Sequence, residues 1–206
     1  MSLFTRNAFT ALANPDNLPG IFRSSHFLLL NKTKSMRNFC FLIASLLLTV
    51  VSFGQVTTNS GSGLAPTYPS LAGAITALNG ATIPDPVIIT LTGNETAPTG
   101  GYSITASGTA ANTITIQGSA STITAPTPQV SGTLNDAIFK IIGGDYISIS
   151  GFTMQENASN TTTAAATNNM TEFGVALFYA STTNGCQNVT ISNNIISLNR
   201  TYTNTF

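Results

Sequence analysis

Three short stretches of the chain share one alternating pattern, and this internal repeat constrains the fold more than any other feature. The stretches are NTITIQG (112–118), DYISISG (145–151) and QNVTISN (187–193). Each starts with a polar residue, alternates aliphatic residues with Thr, Ser or Gln, and ends in Gly or Asn. Because side chains alternate between the two faces of a β-strand, the aliphatic residues share one face and the polar residues share the other.

The repeat predicts short strands that stack on one another. A terminal Gly or Asn tolerates the left-handed backbone that a sharp turn requires. One such strand cannot bury its apolar face alone, whereas stacked copies create a continuous core. The predicted core residues are Ile114, Ile116, Ile147, Ile149, Val189 and Ile191, and the predicted turn residues are Gly118, Gly151, Asn193 and Asn194.

A single helix is predicted ahead of the repeats, over residues 70–79. Its apolar residues Leu71, Ala74, Ile75 and Leu78 have the spacing of one helix face. Ser70 suits the N-cap position, and Gly80 follows as a C-terminal stop. After Pro86 the sequence is typical of strands, because Ile, Val and Thr dominate and Gly, Asn and Pro separate them.

Residues 68–200 resemble the N-terminal part of a right-handed parallel β-helix, the pectin-lyase-like fold. The stretch 68–80 resembles the helix that caps such coils, and 89–118 is similar to large secreted surface proteins of the bacterial type IX system. The resemblance implies an all-β solenoid over residues 67–206 with a capping helix at 70–79. Such proteins run longer and end in a sorting domain, so the resemblance implies an N-terminal fragment.

The N-terminal region has the features of a targeting segment. Five of the seven basic residues lie within the first 37 positions, and residues 39–51 form an uncharged apolar run. Thirteen residues are too few for a membrane span of about 20 but suit a signal peptide. Ser52 and Gly54 supply small residues for cleavage. We therefore predict a signal peptide at 36–54, the alternative being a buried core helix.

The signal peptide sets the remaining boundaries. Met36 is interpreted as the true start and residues 1–35 as an upstream extension, although an unusually long basic leader is the alternative. Residues 55–66 are predicted to be a polar linker. Cleavage would remove Cys40 and leave Cys186 without an intrachain partner. The mature chain is then expected outside the cell or at its surface, with no transmembrane span.

Composition excludes several classes of function. Few basic residues lie beyond the leader, which argues against nucleic-acid binding. The only histidine, His26, lies in the leader, so the mature part holds no Ser-His-Asp triad. The chain is 42% hydrophobic, which is too apolar for a disordered tail.

The candidate chemistry is limited. Carboxylate pairs could be drawn from Asp136, Asp145, Glu156 and Glu172, with Lys140 and Arg200 as the only basic candidates. None of them lies in a lyase motif, so no catalytic residue is expected in this segment. Asp145 could contribute one oxygen ligand to calcium, but no Asp-x-Asp repeat supports a site, and no metal or cofactor is expected. Cys186 is interpreted as a structural thiol.

The sequence thus predicts an exported β scaffold that is adhesin-like and contacts a polysaccharide or cell-surface glycan. Two alternatives remain. The chain could be the N-terminal part of a polysaccharide lyase or glycoside hydrolase whose active residues lie beyond residue 206, or a passive stalk. Residues 158–169 are predicted to be an inserted loop. An apolar end near 191–198 is expected to pair or aggregate.

Overall fold

A computed structural model describes residues 55–130, 135–164 and 166–199. The described residues all belong to one compact unit of the chain. The predicted extension (1–35), the predicted signal peptide (36–54) and Arg200 lie outside the described residues, so the interpretations placed on them stay predictions.

The described residues form eleven strands and one nine-residue helix. From β4 to β10 the strands alternate between two sheets along the chain, and the helix lies between β2 and β3. The elements are β1 (Val56–Thr58), β2 (Thr67–Tyr68), α1 (Leu71–Asn79), β3 (Val87–Leu91), β4 (Glu95–Thr96), β5 (Tyr102–Ile104), β6 (Ile114–Thr124), β7 (Ala137–Ile142), β8 (Ile147–Gln155), β9 (Phe173–Phe178), β10 (Thr190–Ser192) and β11 (Ile195–Ser197).

The larger sheet contains the repeat strands as parallel neighbours. Its order is β10-β8-β6-β3-β1-β2, with β4 beside β6 and β11 beside β8. Ile114 lies opposite Ile147, and Ile116 lies opposite Ile149, which in turn faces Ile191. Each Ile of the first two repeats is buried, so like residues of successive repeats form continuous apolar columns.

The smaller sheet consists of β5, β7 and β9, all parallel. The apolar core lies between this sheet and the larger one. The ring of Phe139 on β7 lies 5.1 Å from the ring of Tyr102 and 5.4 Å from that of Phe152 on β8, measured between centroids. The contact of Phe139 with Phe152 joins the two sheets through one hydrophobic core.

The predicted right-handed parallel β-helix is wrong as a description of this chain. The larger sheet is mixed, because β1 pairs antiparallel with both β2 and β3. The strands fall into two sheets, and no closed solenoid is present in the part of the chain that the structure describes. Antiparallel strands can be joined by a short loop. Here the loop 59–66 turns at Gly61 and Gly63, both with positive φ, and returns β2 alongside β1.

Helix α1 occupies the predicted stretch and covers one end of the β structure. The Oγ of Ser70 accepts a hydrogen bond from the backbone N–H of Gly73, which satisfies one of the free donors of the first turn. The apolar face of the helix is fully buried. Residues 55–66, predicted to be a linker, instead contain β1, whose buried Val56 pairs with Leu91 of β3.

Candidate functional site

The outer face of the larger sheet carries a ladder of uncharged polar side chains. Successive strands place hydroxyl and amide groups opposite one another, about 4.8 Å apart. In one row Gln117 donates from Nε2 to Oγ1 of Thr90 at 3.1 Å. We call this surface the outer ladder; it consists of Thr90, Thr115, Gln117, Ser148, Ser150, Thr190 and Ser192. All seven are at least partly exposed, so their polar groups are available to a ligand.

The predicted turn residues differ in what they do. Gly151 and Asn193 adopt positive φ, at 76° and 55°. Gly118 does not; the left-handed residue in its turn is Ala120, at 55°, although a Cβ on Gly118 would lie 2.7 Å from the carbonyl oxygen of Gly151. Asn194 fixes its turn to β8, because its side-chain amide accepts from the N–H of Phe152 at 3.0 Å and donates to the carbonyl oxygen of Ile149 at 2.9 Å.

Val189 lies just before β10, outside any strand, and packs against the core while remaining partly buried. Ile191, on β10, is 42% exposed. The third copy of the repeat therefore contributes less to the core than the first two. The reason is positional, because β8 covers the column of Ile191 on one side only.

Two of the candidate acids, Asp136 and Glu172, lie side by side. The backbone N–H of Asp136 donates to Oε2 of Glu172 at 3.0 Å, and the backbone N–H of Glu172 donates to the carbonyl oxygen of Asp136 at 3.2 Å. Asn168 donates to the other carboxylate oxygen of Glu172 at 2.8 Å. Both acids are buried. The pair joins the loop before β7 to the loop before β9.

Burial raises the pKa of Glu172, and the nearby charge of Asp136 raises it further. The hydrogen bonds from Asn168 and from the backbone of Asp136 lower it and oppose this effect. Desolvation dominates because only 7% of the residue is exposed. Two adjacent carboxyl groups are a recurrent catalytic arrangement, but here the carboxylate of Glu172 is held by hydrogen bonds from Asn168 and from the backbone of Asp136.

Glu156 anchors the inserted loop in the same way. Its carboxylate accepts hydrogen bonds from the backbone N–H of Thr171 at 2.8 Å, from the hydroxyl of Thr171 at 3.0 Å and from the amide of Asn160 at 2.9 Å. Asn160 also donates to the carbonyl oxygen of Pro126 at 2.9 Å. The predicted loop 158–169 is therefore tied down at both ends by buried polar contacts.

The remaining candidates lie apart from these acids. Asp145 accepts through Oδ1 from the backbone N–H of Gln187 at 2.7 Å, so its carboxylate joins two successive repeats. Lys140 is half-buried and lies opposite Ser103 and Ala176 in the smaller sheet. The thiol of Cys186 contacts the carbonyl oxygens of Ile141 and Phe178 at 3.3 and 3.4 Å.

Glu95 has a structural role that sequence reasoning missed. Its carboxylate accepts from the backbone N–H of Leu71, the first residue of α1, at 3.2 and 3.3 Å. It also accepts a hydrogen bond from the hydroxyl of Tyr102. Burial of the phenol, together with this bond and the negative charge, raises the pKa of Tyr102. Glu95 is the first residue of β4, and no helix-capping motif in the sequence marks it, because its contact with α1 is made across 24 residues.

A groove of about 510 Å³ opens at the opposite end from α1, between the last strands of the two sheets. Glu172 lies at its margin. The lining residues are Glu172, Phe173, Gly174, Val175, Ile191, Ile196, Ser197 and Leu198.

Within the three described ranges, no group of three or more His, Cys, Asp and Glu side chains is arranged to hold a metal ion. Over the same ranges, no helix combines the length and apolarity that a membrane span requires.

The geometry is not matched by a known relative. Comparison of the chain with protein-family models, with curated proteins and with solved structures finds no match.

Proposed function

We propose that this chain is an exported, non-catalytic β scaffold whose outer ladder contacts a polysaccharide or a cell-surface glycan. The observation that carries the proposal is the ladder itself. Its polar, uncharged side chains are in register over four parallel strands in the row that begins at Thr90, and over three in the row that begins at Thr115, where β3 contributes Ile88. Glycan hydroxyls are neutral donors and acceptors, and a surface of hydroxyl and amide groups offers both kinds of partner.

The positions of the acids support a scaffold over an enzyme in this segment. Asp145, Glu156 and Glu172 each accept hydrogen bonds from backbone N–H groups of neighbouring loops. A carboxylate held this way stabilises the loop conformation. The acids therefore have a structural explanation that needs no substrate.

Export rests on the sequence. The basic start, the apolar run and the small residues at 52 and 54 support a signal peptide at 36–54. N-terminal sequencing of the exported protein is expected to find Gln55 as the first residue, and retention of 36–54 would contradict export by this route.

Glycan binding is tested by removing ladder hydroxyls. Binding of the chain to an array of neutral and acidic oligosaccharides is measured for the wild type and for the double variant Thr115→Val, Ser148→Ala. Each lost hydrogen bond is worth about 1 kcal/mol, so the double variant is expected to bind roughly 30-fold more weakly. Ser103→Ala is the matched control, because its exposed hydroxyl lies on the smaller sheet.

The outcomes separate the three functions. Binding that depends on Thr115 and Ser148 supports the glycan scaffold. Absence of binding to every oligosaccharide favours the passive stalk. Cleavage of a polysaccharide by a longer version of the chain, lost when acids beyond residue 206 are replaced, would favour the lyase or hydrolase.

A further inference from the structure

We propose that the end of the β structure opposite α1 is a self-association surface that a second copy of this chain covers. This end face consists of β9, β10, β11 and the groove between them. At this end face each apolar column changes from buried to exposed between one strand and the next. Ile149 is fully buried but its neighbour Ile191 is 42% exposed, and Met154 is fully buried but its neighbour Ile196 is 48% exposed.

The smaller sheet shows the same change from a buried to an exposed apolar residue. Ile141 of β7 is fully buried, whereas Leu177, its neighbour on β9, is 48% exposed. Of the eight large hydrophobic residues that are exposed in the described ranges, six lie in or directly after the three end strands. An apolar patch concentrated at one place marks an interaction surface more often than scattered exposed residues do.

The strands at this end also have open edges. In the described part of the chain, β9 pairs only with β7, and β10 and β11 pair only with β8. Such edges are usually protected by Lys, other charges or Pro. The three strands read FGVALF, TIS and IIS and contain none of these. The edges are therefore suited to pair with another β-strand.

Charge favours a second copy as the occupant. The described residues carry six carboxyl groups against one basic side chain, Lys140, so like charges oppose contact between two copies over most of the described surface. The end face carries a single carboxyl, that of Glu172, which is buried. Two copies can thus meet here without exposed like charges.

Symmetry fits the same partner. A two-fold axis across the end face would place each edge strand beside its equivalent in antiparallel orientation. A two-fold interface uses one patch on both subunits, so the patch must be self-complementary. Uncharged strands with exposed apolar side chains satisfy this condition, because they oppose no like charges and bury apolar surface on both copies.

The test is sedimentation velocity over a concentration range of about 1–100 µM. The full-length chain is expressed in an exporting bacterium and recovered as that host processes it. We expect a reversible dimer. Ile196→Lys is expected to weaken the dimer at least about tenfold, because it places a charge on each side of the two-fold contact.

Ile88→Lys is the matched control. Ile88 is also half-exposed, at 39%, but it lies on β3, which is paired on both sides. This variant is expected to dimerise like the wild type. Ile195→Lys is a second test, because Ile195 is 66% exposed and its replacement disturbs folding least.

Three outcomes would overturn the proposal. The first is a monomer throughout the concentration range, and the second is equal weakening of the dimer by Ile88→Lys and Ile195→Lys. The third is dimerisation of a chain ending at Asn199 with none for the chain ending at Phe206, which would assign the end face to residues 200–206 of the same chain. Open-ended fibres in place of dimers would contradict the two-fold arrangement.

Discussion

The two ends of the described β structure differ in whether the apolar core columns are covered. At the α1 end, the helix buries Leu71 and Leu78 against the core, and β1 pairs with the outer edge of β3. Asn79 covers the edge of β5, since its amide group bonds the backbone of Ser103 and Thr105 at 2.8 and 2.9 Å. At the other end, Ile191 and Ile196 remain half-exposed.

The difference shows that parallel stacking of repeats by itself always leaves the last strand of a sheet uncovered. Each added strand buries the apolar column of its predecessor and exposes its own. An end is closed only when an element of another kind covers it. Here that element is a helix with one apolar face together with an antiparallel strand, and neither belongs to the repeat.

Truncation of a core residue should be far more costly at the covered end. Leu78→Ala removes a fully buried side chain and is expected to lower the free energy of unfolding by about 2–5 kcal/mol. Ile196→Ala, at the uncovered end, should cost about 1 kcal/mol in the monomer, because half of its side chain is already in water there. Urea denaturation at a protein concentration below that of dimerisation measures both. Equal costs would show that Ile196 is buried within the monomer.

Removal of one tyrosine hydroxyl is expected to give the next largest difference in stability between the two ends. In Tyr102→Phe the carboxylate of Glu95 loses a buried partner, and a hydrogen bond to a charged group is worth about 1.5–3 kcal/mol. Tyr179→Phe, beside the open edge, removes a hydroxyl from a side chain that is mostly exposed and should change stability by less than about 0.5 kcal/mol. Thermal and urea unfolding of both variants check the contrast, which fails if the two losses are alike.

Substitutions in the turns are expected to give a smaller difference in stability between the two ends. Gly151 has φ of 76°, and a Cβ there would lie 2.7 Å from the carbonyl oxygen of Gly118, so Gly151→Ala should cost about 1–3 kcal/mol. Asn193 occupies the corresponding turn beside the open edge, and Asn193→Gly should be within about 0.5 kcal/mol of the wild type, since Gly accepts positive φ freely. If Gly151→Ala left stability unchanged, the backbone at Gly151 would be able to move away from that at Gly118.

The smallest effect concerns pH and the groove at the open end. The unfolded carboxyl of Glu172 ionises near pH 4.5, whereas burial gives it a higher pKa in the folded chain. Between these two pKa values the folded state binds more protons, so this group makes stability fall as pH rises, and its penalty is complete above the folded pKa. The difference in unfolding free energy between wild type and Glu172→Gln, followed from pH 4 to 8, should change in that direction. A difference independent of pH would refute the assignment.

Sequence reasoning located the strands of the repeat and the helix but not the topology that connects them. Period-two alternation identified Ile114 with Ile116 and Ile147 with Ile149 as core pairs, because alternation depends only on local backbone geometry. The fold class was predicted wrongly, since the antiparallel pairing of β1 with β3 brings together residues more than 30 positions apart and leaves no local pattern. The acids that hold the loops could be named from the sequence but not paired.

What the sequence by itself determined is which residues are apolar in register, where the chain turns and where one helix forms, because these follow from the spacing of neighbouring residues. Only the tertiary structure decided that Glu95 supports α1, that Asp136 lies beside Glu172, and that one end is covered while the other presents open edges. Those contacts join segments that are distant in the chain, and their stability depends on the burial and desolvation that packing creates.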